Sequence, residues 1–90
     1  MNETEIDELI DKLLVETSSK KLILYNDDDN TFQKVIICLK HYCSHSDLQA
    51  EQCALITHHK GKCCVKEGVF DDLLPICTAL LDKGLNATIE

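Results

Sequence analysis

Three consecutive acids, Asp27-Asp28-Asp29, separate a run that reads as a strand from a segment that reads as a helix. Charges in a row resist burial, so this hinge must sit at the rim of whatever core the chain builds. The run before it, from Lys21 to Tyr25, is apolar on successive residues at Leu22-Ile23-Leu24-Tyr25, as suits a strand covered on both faces. After the hinge, Phe32, Val35, Ile36, Leu39, Tyr42 and Cys43 recur at helical spacing and form one apolar stripe. Asn30 reads as the cap of that helix, with Gln33 three residues on as in a capping box. A polar, acidic hinge between strand and helix can present groups to a ligand, and this one suits a cation.

The remaining elements follow in the same way. Ser46 with Gln49 caps a second helix, given an apolar side by Leu48, Cys53, Leu55 and Ile56. That helix ends at His58-His59-Lys60, and Gly61 fits the left-handed residue that follows a helix. Lys62 to Val65 reads as a short strand and Lys66-Glu67-Gly68 as a turn. A third helix runs from Phe70 to Lys83, with Pro75 expected in its first turn and Ile76 or Cys77, Leu80 and Leu81 facing inward. Gly84 ends it, and Leu85 to Ile89 reads as a last strand. The fold class is therefore α/β: a small two-layer domain with a three-stranded sheet packed against three helices, in the order β-α-α-β-α-β. Residues 1–20 carry six acids and two lysines, with Ile6, Leu9, Ile10, Leu13 and Leu14 at helical spacing. They suit a short amphipathic helix, marginal without packing. Residues 1–19 are thus expected to be an acidic, mobile N-terminal extension, and 20–90 the domain.

Composition narrows the function. A formal charge of −7 argues against a nucleic-acid or anionic-membrane surface. No apolar stretch approaches the ~20 residues of a membrane span, and no secretory signal stands at the start, so a cytoplasmic location is expected. Six cysteines without a Cys-x-x-Cys pair then read as reduced, mostly as small core residues.

Several chemistries compete for the polar residues. A charge run such as Asp27-Asp28-Asp29 is most often a solvated loop. A calcium loop fails, because Phe32 or Thr31 falls where glycine is needed and Cys38 or Ile37 where a glutamate is needed. His41 and His45 at helical spacing offer half of a zinc site, whose other ligands would have to be non-local, such as Cys63 or Cys64. A cysteine nucleophile paired with His58 lacks any local motif. His58 itself reads as a helix-end histidine, with Ala54 one turn earlier on the same face, an arrangement that can line a pocket. No metal or cofactor is expected.

Two of these features together resemble one family. Asn26-Asp27-Asp28 before a helix resembles the Asn-Asp-Asp signature of ClpS, and His58-His59-Lys60-Gly61-Lys62 resembles its His-x-x-Gly-Lys signature. The order of elements also agrees over about residues 20 to 90. The resemblance implies an adaptor and not an enzyme. Such an adaptor binds the free N-terminal residue of N-degron substrates with a bulky hydrophobic terminus and delivers them to a Clp AAA+ unfoldase of ClpA or ClpC type. By matching position it implies that Asn26, Asp27 and His58 contact the substrate α-amino group, with Asp28 beside them. It implies that Asn30, Phe32, Val35, Ile37, Ala54, Thr57 and Leu85 surround the side-chain pocket. It further implies a monomer whose acidic extension engages the unfoldase. Thr31 and Phe32 stand where the family often has proline and methionine, Ala54 where it has a bulky methionine, and Thr57 where it has an aliphatic residue. The Lys66-Glu67-Gly68 turn reads a residue or two longer than the family pattern. The ribosomal stalk C-terminal domain and the N-degron-binding region of some ubiquitin ligases resemble this fold as well, which leaves a non-catalytic interaction domain as the alternative.

Overall fold

The structure is a computed structural model that describes residues 2–90. At its centre lies β1 (Ser19–Tyr25), paired antiparallel with β2 (Lys62–Val69) on one edge and β3 (Asn86–Ile89) on the other. Side chains alternate across a strand. Leu22 and Leu24 are accordingly buried in the core, while Ile23 and Tyr25 on the opposite face are half-buried. The second face of this strand is thus only partly covered.

Helices α2 (Phe32–Tyr42), α3 (Asp47–Lys60) and α4 (Phe70–Asp82) complete the β-α-α-β-α-β order. Leu39 from α2, Val65 from β2 and Leu73 and Leu80 from α4 join Leu22 and Leu24 in one apolar core. Ahead of the domain, residues of the expected extension form α1 (Glu3–Thr17), capped by a reciprocal box between Asn2 and Glu5. Ile6, Leu9, Ile10, Leu13 and Leu14 are all exposed on it. Met1, the first residue of that extension, lies outside the described residues, as do the side chains of Val15 and Glu16.

Several local expectations give way to tertiary context. The cap of α2 is Thr31, whose hydroxyl accepts the Lys34 N–H at 3.1 Å, and not Asn30, whose amide is engaged elsewhere. Lys66-Glu67-Gly68 is not a turn. Those residues pair with Leu22, Lys21 and Lys20, so β2 continues to Val69 and runs straight into α4. The register shift between Leu22 and Ile23 leaves Val65 unmatched as a bulge. The buried His45 lies against that bulge, its Nε2 2.7 Å from the Val65 carbonyl oxygen. A carbonyl only accepts, so Nε2 carries the proton.

Pro75 sits in the second turn of α4, because the helix begins as soon as the strand ends. It forfeits its hydrogen bond to the Asp71 carbonyl. Both residues are exposed, so water can take that carbonyl. Leu81 is exposed, while Cys77 and Leu80 point inward. The largest departure is α3. It buries Ala50, Ala54 and Thr57 and leaves Leu48, Leu55 and Ile56 in solvent.

Candidate functional site

The hinge and the end of α3 meet because β1 and β2 are paired at their ends. Tyr25 lies opposite Lys62, and one residue further the Asn26 N–H donates to the Gly61 carbonyl at 2.9 Å. Gly61 has φ of 90°, in the left-handed region that favours glycine, and its N–H returns to the Thr57 carbonyl at 2.9 Å. The reversal thus fixes the first hinge residue against the last turn of α3, which carries His58.

Asp27 organises the rest of the hinge. Its Oδ1 accepts the backbone N–H of Asp29 at 3.0 Å and of Asn30 at 2.8 Å. The Asn30 side-chain amide adds contacts to Oδ1 at 3.0 Å and Oδ2 at 2.8 Å. The same amide donates to the Gly84 carbonyl at 2.8 Å, tying the hinge to the turn before β3. Burial pushes the Asp27 carboxyl up, but the Asn30 and Asp29 hydrogen bonds, helped by the Lys34 charge, outweigh it and hold the group below the ordinary carboxylate range. Asp27 is therefore an anion near neutral pH, with capacity left on Oδ2. Asn26 uses its backbone N–H on Gly61, and its side chain makes no internal hydrogen bond among the described residues. His58 is exposed, its ring in a T-shaped contact with that of His59 at 5.4 Å between centroids.

Behind these groups is a cavity of about 320 Å³. Asn26, Asp27, Asp28 and His58 supply its polar part, and Phe32, Val35, Ala54, Thr57, Leu24 and Leu85 its apolar part. Its volume is in the range of small-ligand sites, which pair an apolar body with a few placed polar groups. The Thr57 hydroxyl is occupied by the Cys53 carbonyl at 2.7 Å, so it offers the cavity no spare donor. Tyr25 also lines the cavity, its hydroxyl donating to the Glu90 carboxylate, which raises the Tyr25 pKa.

Of the residues expected at a site, Asn26, Asp27, Asp28, Asn30, Phe32, Val35, Ala54, Thr57, His58 and Leu85 border this one cavity. Ile37 does not. It is 64% exposed on the outer side of α2, two residues and so about 200° around the helix from Val35. Leu24 and Tyr25 were missed as lining residues, although their place at the end of the strand feeding the hinge was a usable signal. Asn30 does more than line the wall, since its amide positions Asp27.

The chemistry available is recognition of a cation joined to an apolar group. The cavity offers a carboxylate, an amide oxygen and an imidazole beside the C-terminal end of α3, whose dipole favours positive charge. A cysteine nucleophile at the cavity is poorly served, since no cysteine lines it: burial and the neighbouring Cys53 sulfur push the Cys63 thiol up to about 12, and Cys64 is exposed on another face. His41 is exposed against Tyr42 while His45 turns inward to Val65, so the two do not share a metal face. Among the described residues no group of three His, Cys, Asp or Glu side chains is arranged to hold a metal ion, and no helix is long and apolar enough to cross a membrane.

Comparison with known proteins gives two findings. The family described as ATP-dependent Clp protease adaptor protein ClpS matches residues 16–88. Among solved structures, Agrobacterium tumefaciens ClpS2 bound to L-phenylalaninamide aligns with a TM-score of 0.77 and 23% identity, covering 80% of this chain and 94% of that one. That likeness speaks to the fold. No curated protein matches the chain.

Proposed function

The chain belongs to the ClpS family of Clp protease adaptor proteins, and on that premise we propose that it captures proteins by a free N-terminal residue that is bulky and hydrophobic (Leu, Phe, Tyr or Trp) and hands them to a Clp AAA+ unfoldase in the cytoplasm. The observation that carries this reading is the composition of one cavity: an ionised Asp27, an uncommitted Asn26 side chain and His58 stand over an apolar recess walled by Phe32, Val35, Ala54 and Leu85.

An N-terminal residue matches that composition in both parts. Its α-ammonium brings a charge and three donors. Asp27 Oδ2, the Asn26 side-chain oxygen and an unprotonated His58 nitrogen can each accept one. Hydrogen bonds to charged groups are stronger than neutral ones, so the ammonium anchors the residue. An internal residue or a blocked terminus brings no charge and leaves the acceptors unpaired, which costs affinity. The recess then takes the first side chain. Nothing in this scheme requires catalysis, in keeping with a family of adaptors. The acidic helix α1, with its exposed apolar residues, is the segment we assign to the unfoldase, of ClpA or ClpC type.

The functional test is delivery. A reporter beginning with Phe or Leu, mixed with a purified Clp unfoldase and protease, should be degraded faster when this chain is added, and a reporter beginning with Gly or Glu should not. Acceleration that ignores the first residue would overturn the reading.

A further inference from the structure

Cys38, Cys43 and Cys77 belong to the apolar core and Cys53 packs against it, whereas Cys63 and Cys64 stand on β2. In the β1–β2 ladder Cys63 lies opposite Leu24 and Cys64 opposite Ile23. Paired residues share a face of the sheet. Leu24 is buried among the helices, so Cys63 faces the helical layer, whereas Cys64 with Ile23 faces away and is exposed. On α3 the inward residues are Ala50, Ala54 and Thr57. Cys53 flanks that stripe, one turn from Ala50 and one from Thr57, and packs against the core. The chain reverses at Gly61, so β2 runs back along α3 and brings Cys63 level with this part of the helix. Cys53 is the side-chain neighbour that acts most on the Cys63 thiol, whose Sγ also donates to the Cys64 carbonyl at 3.5 Å, and both cysteines are half-buried and free.

We propose that Cys53 and Cys63 form a reversible disulfide site that ties α3 to β2 directly behind the cavity wall. The oxidant is a low-molecular-weight disulfide. Cys53 Sγ, as thiolate, attacks one sulfur of that reagent. The reagent's S–S bond breaks, a mixed disulfide forms on Cys53, and the released thiolate takes up a proton. Cys63 then gives its proton to solvent and its sulfur attacks Cys53 Sγ, expelling the second small thiol. Two protein thiols are oxidised to one disulfide, and one small disulfide is reduced to two thiols. Burial and the neighbouring Cys53 sulfur push the Cys63 thiol up to about 12, which makes Cys63 a poor first nucleophile. The link joins the residue next to Ala54 on α3 to the second residue of β2, and it is independent of what the cavity binds.

The full chain is incubated with oxidised glutathione, free thiols are alkylated, and unreduced digests are fragmented in a mass spectrometer. Fragment ions of the unsubstituted protein should locate one intramolecular link, with the mass loss of two hydrogens, between Cys53 and Cys63. C53S and C63S should each lose it, C43S and C64S should retain it, and dithiothreitol should reverse it. The melting temperature of the unsubstituted protein should rise on oxidation and that of C63S should not. A link that maps to Cys43 or Cys64, one that survives C53S, or glutathione adducts with no internal link would overturn the proposal. The fragment ions come from the unsubstituted chain, so they place the link even if a serine variant fails to fold.

Discussion

α2 meets the core with Cys38, Leu39 and Cys43, and α3 meets it with Ala50, Ala54 and Thr57, yet both helices wall the same cavity. In α2 the apolar stripe faces the core from Val35 onward, and Leu39 is wholly enclosed. In α3 the buried face is made of small side chains, while Leu48 and Leu55 stand 64% and 50% exposed. Large side chains fill the space between layers, and small ones leave it open. At the end where α3 presents Ala54 and Thr57 against Phe32 and Val35, the unfilled space is the cavity. One helix contributes stability and the other contributes room.

The largest effect separates those two roles. Leu39→Ala should cost about 2–5 kcal/mol of unfolding free energy, because it empties a fully enclosed position in α2. Leu48→Ala on α3, a change of the same chemistry, should stay within about 0.5 kcal/mol. Urea unfolding of both variants measures the contrast, and equal losses would break it.

Next in size is the room itself. Ala54→Leu adds bulk to a buried position that lines the cavity. Overpacking of this kind costs about 1–3 kcal/mol of stability. Affinity for peptides beginning with Phe or Trp should fall at least about tenfold, or 1.4 kcal/mol. Ile37→Ala, outside the cavity on α2, should leave that affinity unchanged. Fluorescence titration of the folded variants reads both, and an Ile37 effect as large as that of Ala54 would mean the cavity is not the binding site.

The smallest effect concerns acid. Asp27 is held below the ordinary carboxylate range in the folded chain, so the stability it contributes is present above the unfolded value of about 3.9 and is lost as pH falls through the folded value. Asp27→Asn should therefore lower stability modestly at neutral pH, where the carboxylate contribution is present, and flatten a shallow part of the pH–stability curve below about pH 4. Thermal melts between neutral and strongly acidic pH test the sign; a variant curve that loses stability as the original does would contradict it.

The same contrast explains what could be read from the chain. Strand and helix order was legible wherever hydrophobic residues mark the buried face, as at Leu22, Leu24, Leu39 and Leu80. The buried face was misread on α3, where burial goes to small residues. Hydropathy ranks Leu48, Leu55 and Ile56 above Ala50 and Ala54, so it chose the wrong side of α3. Lys66-Glu67-Gly68 has the composition of a turn, and only its pairing with Leu22, Lys21 and Lys20 makes it strand. Asn30 is a sound cap by local rules, but Asp27 and Gly84 compete for its amide and Thr31 takes the role. The polar part of the candidate site lay in two short motifs and the pocket residues came from matching position, and the residues around Asn26 and His58 do border one cavity. Ile37 came from position matching alone and fell outside, because a shift of two residues on a helix turns a side chain to the opposite side.

The central claim is that the cavity reads a free amino terminus attached to an apolar side chain. Calorimetric titration with a peptide that begins with Phe, and with the same peptide acetylated at its terminus, tests it most directly. The free peptide should bind saturably and one-to-one, and acetylation should lower its affinity at least about a hundredfold, near 2.7 kcal/mol. Equal binding of the two peptides would contradict it.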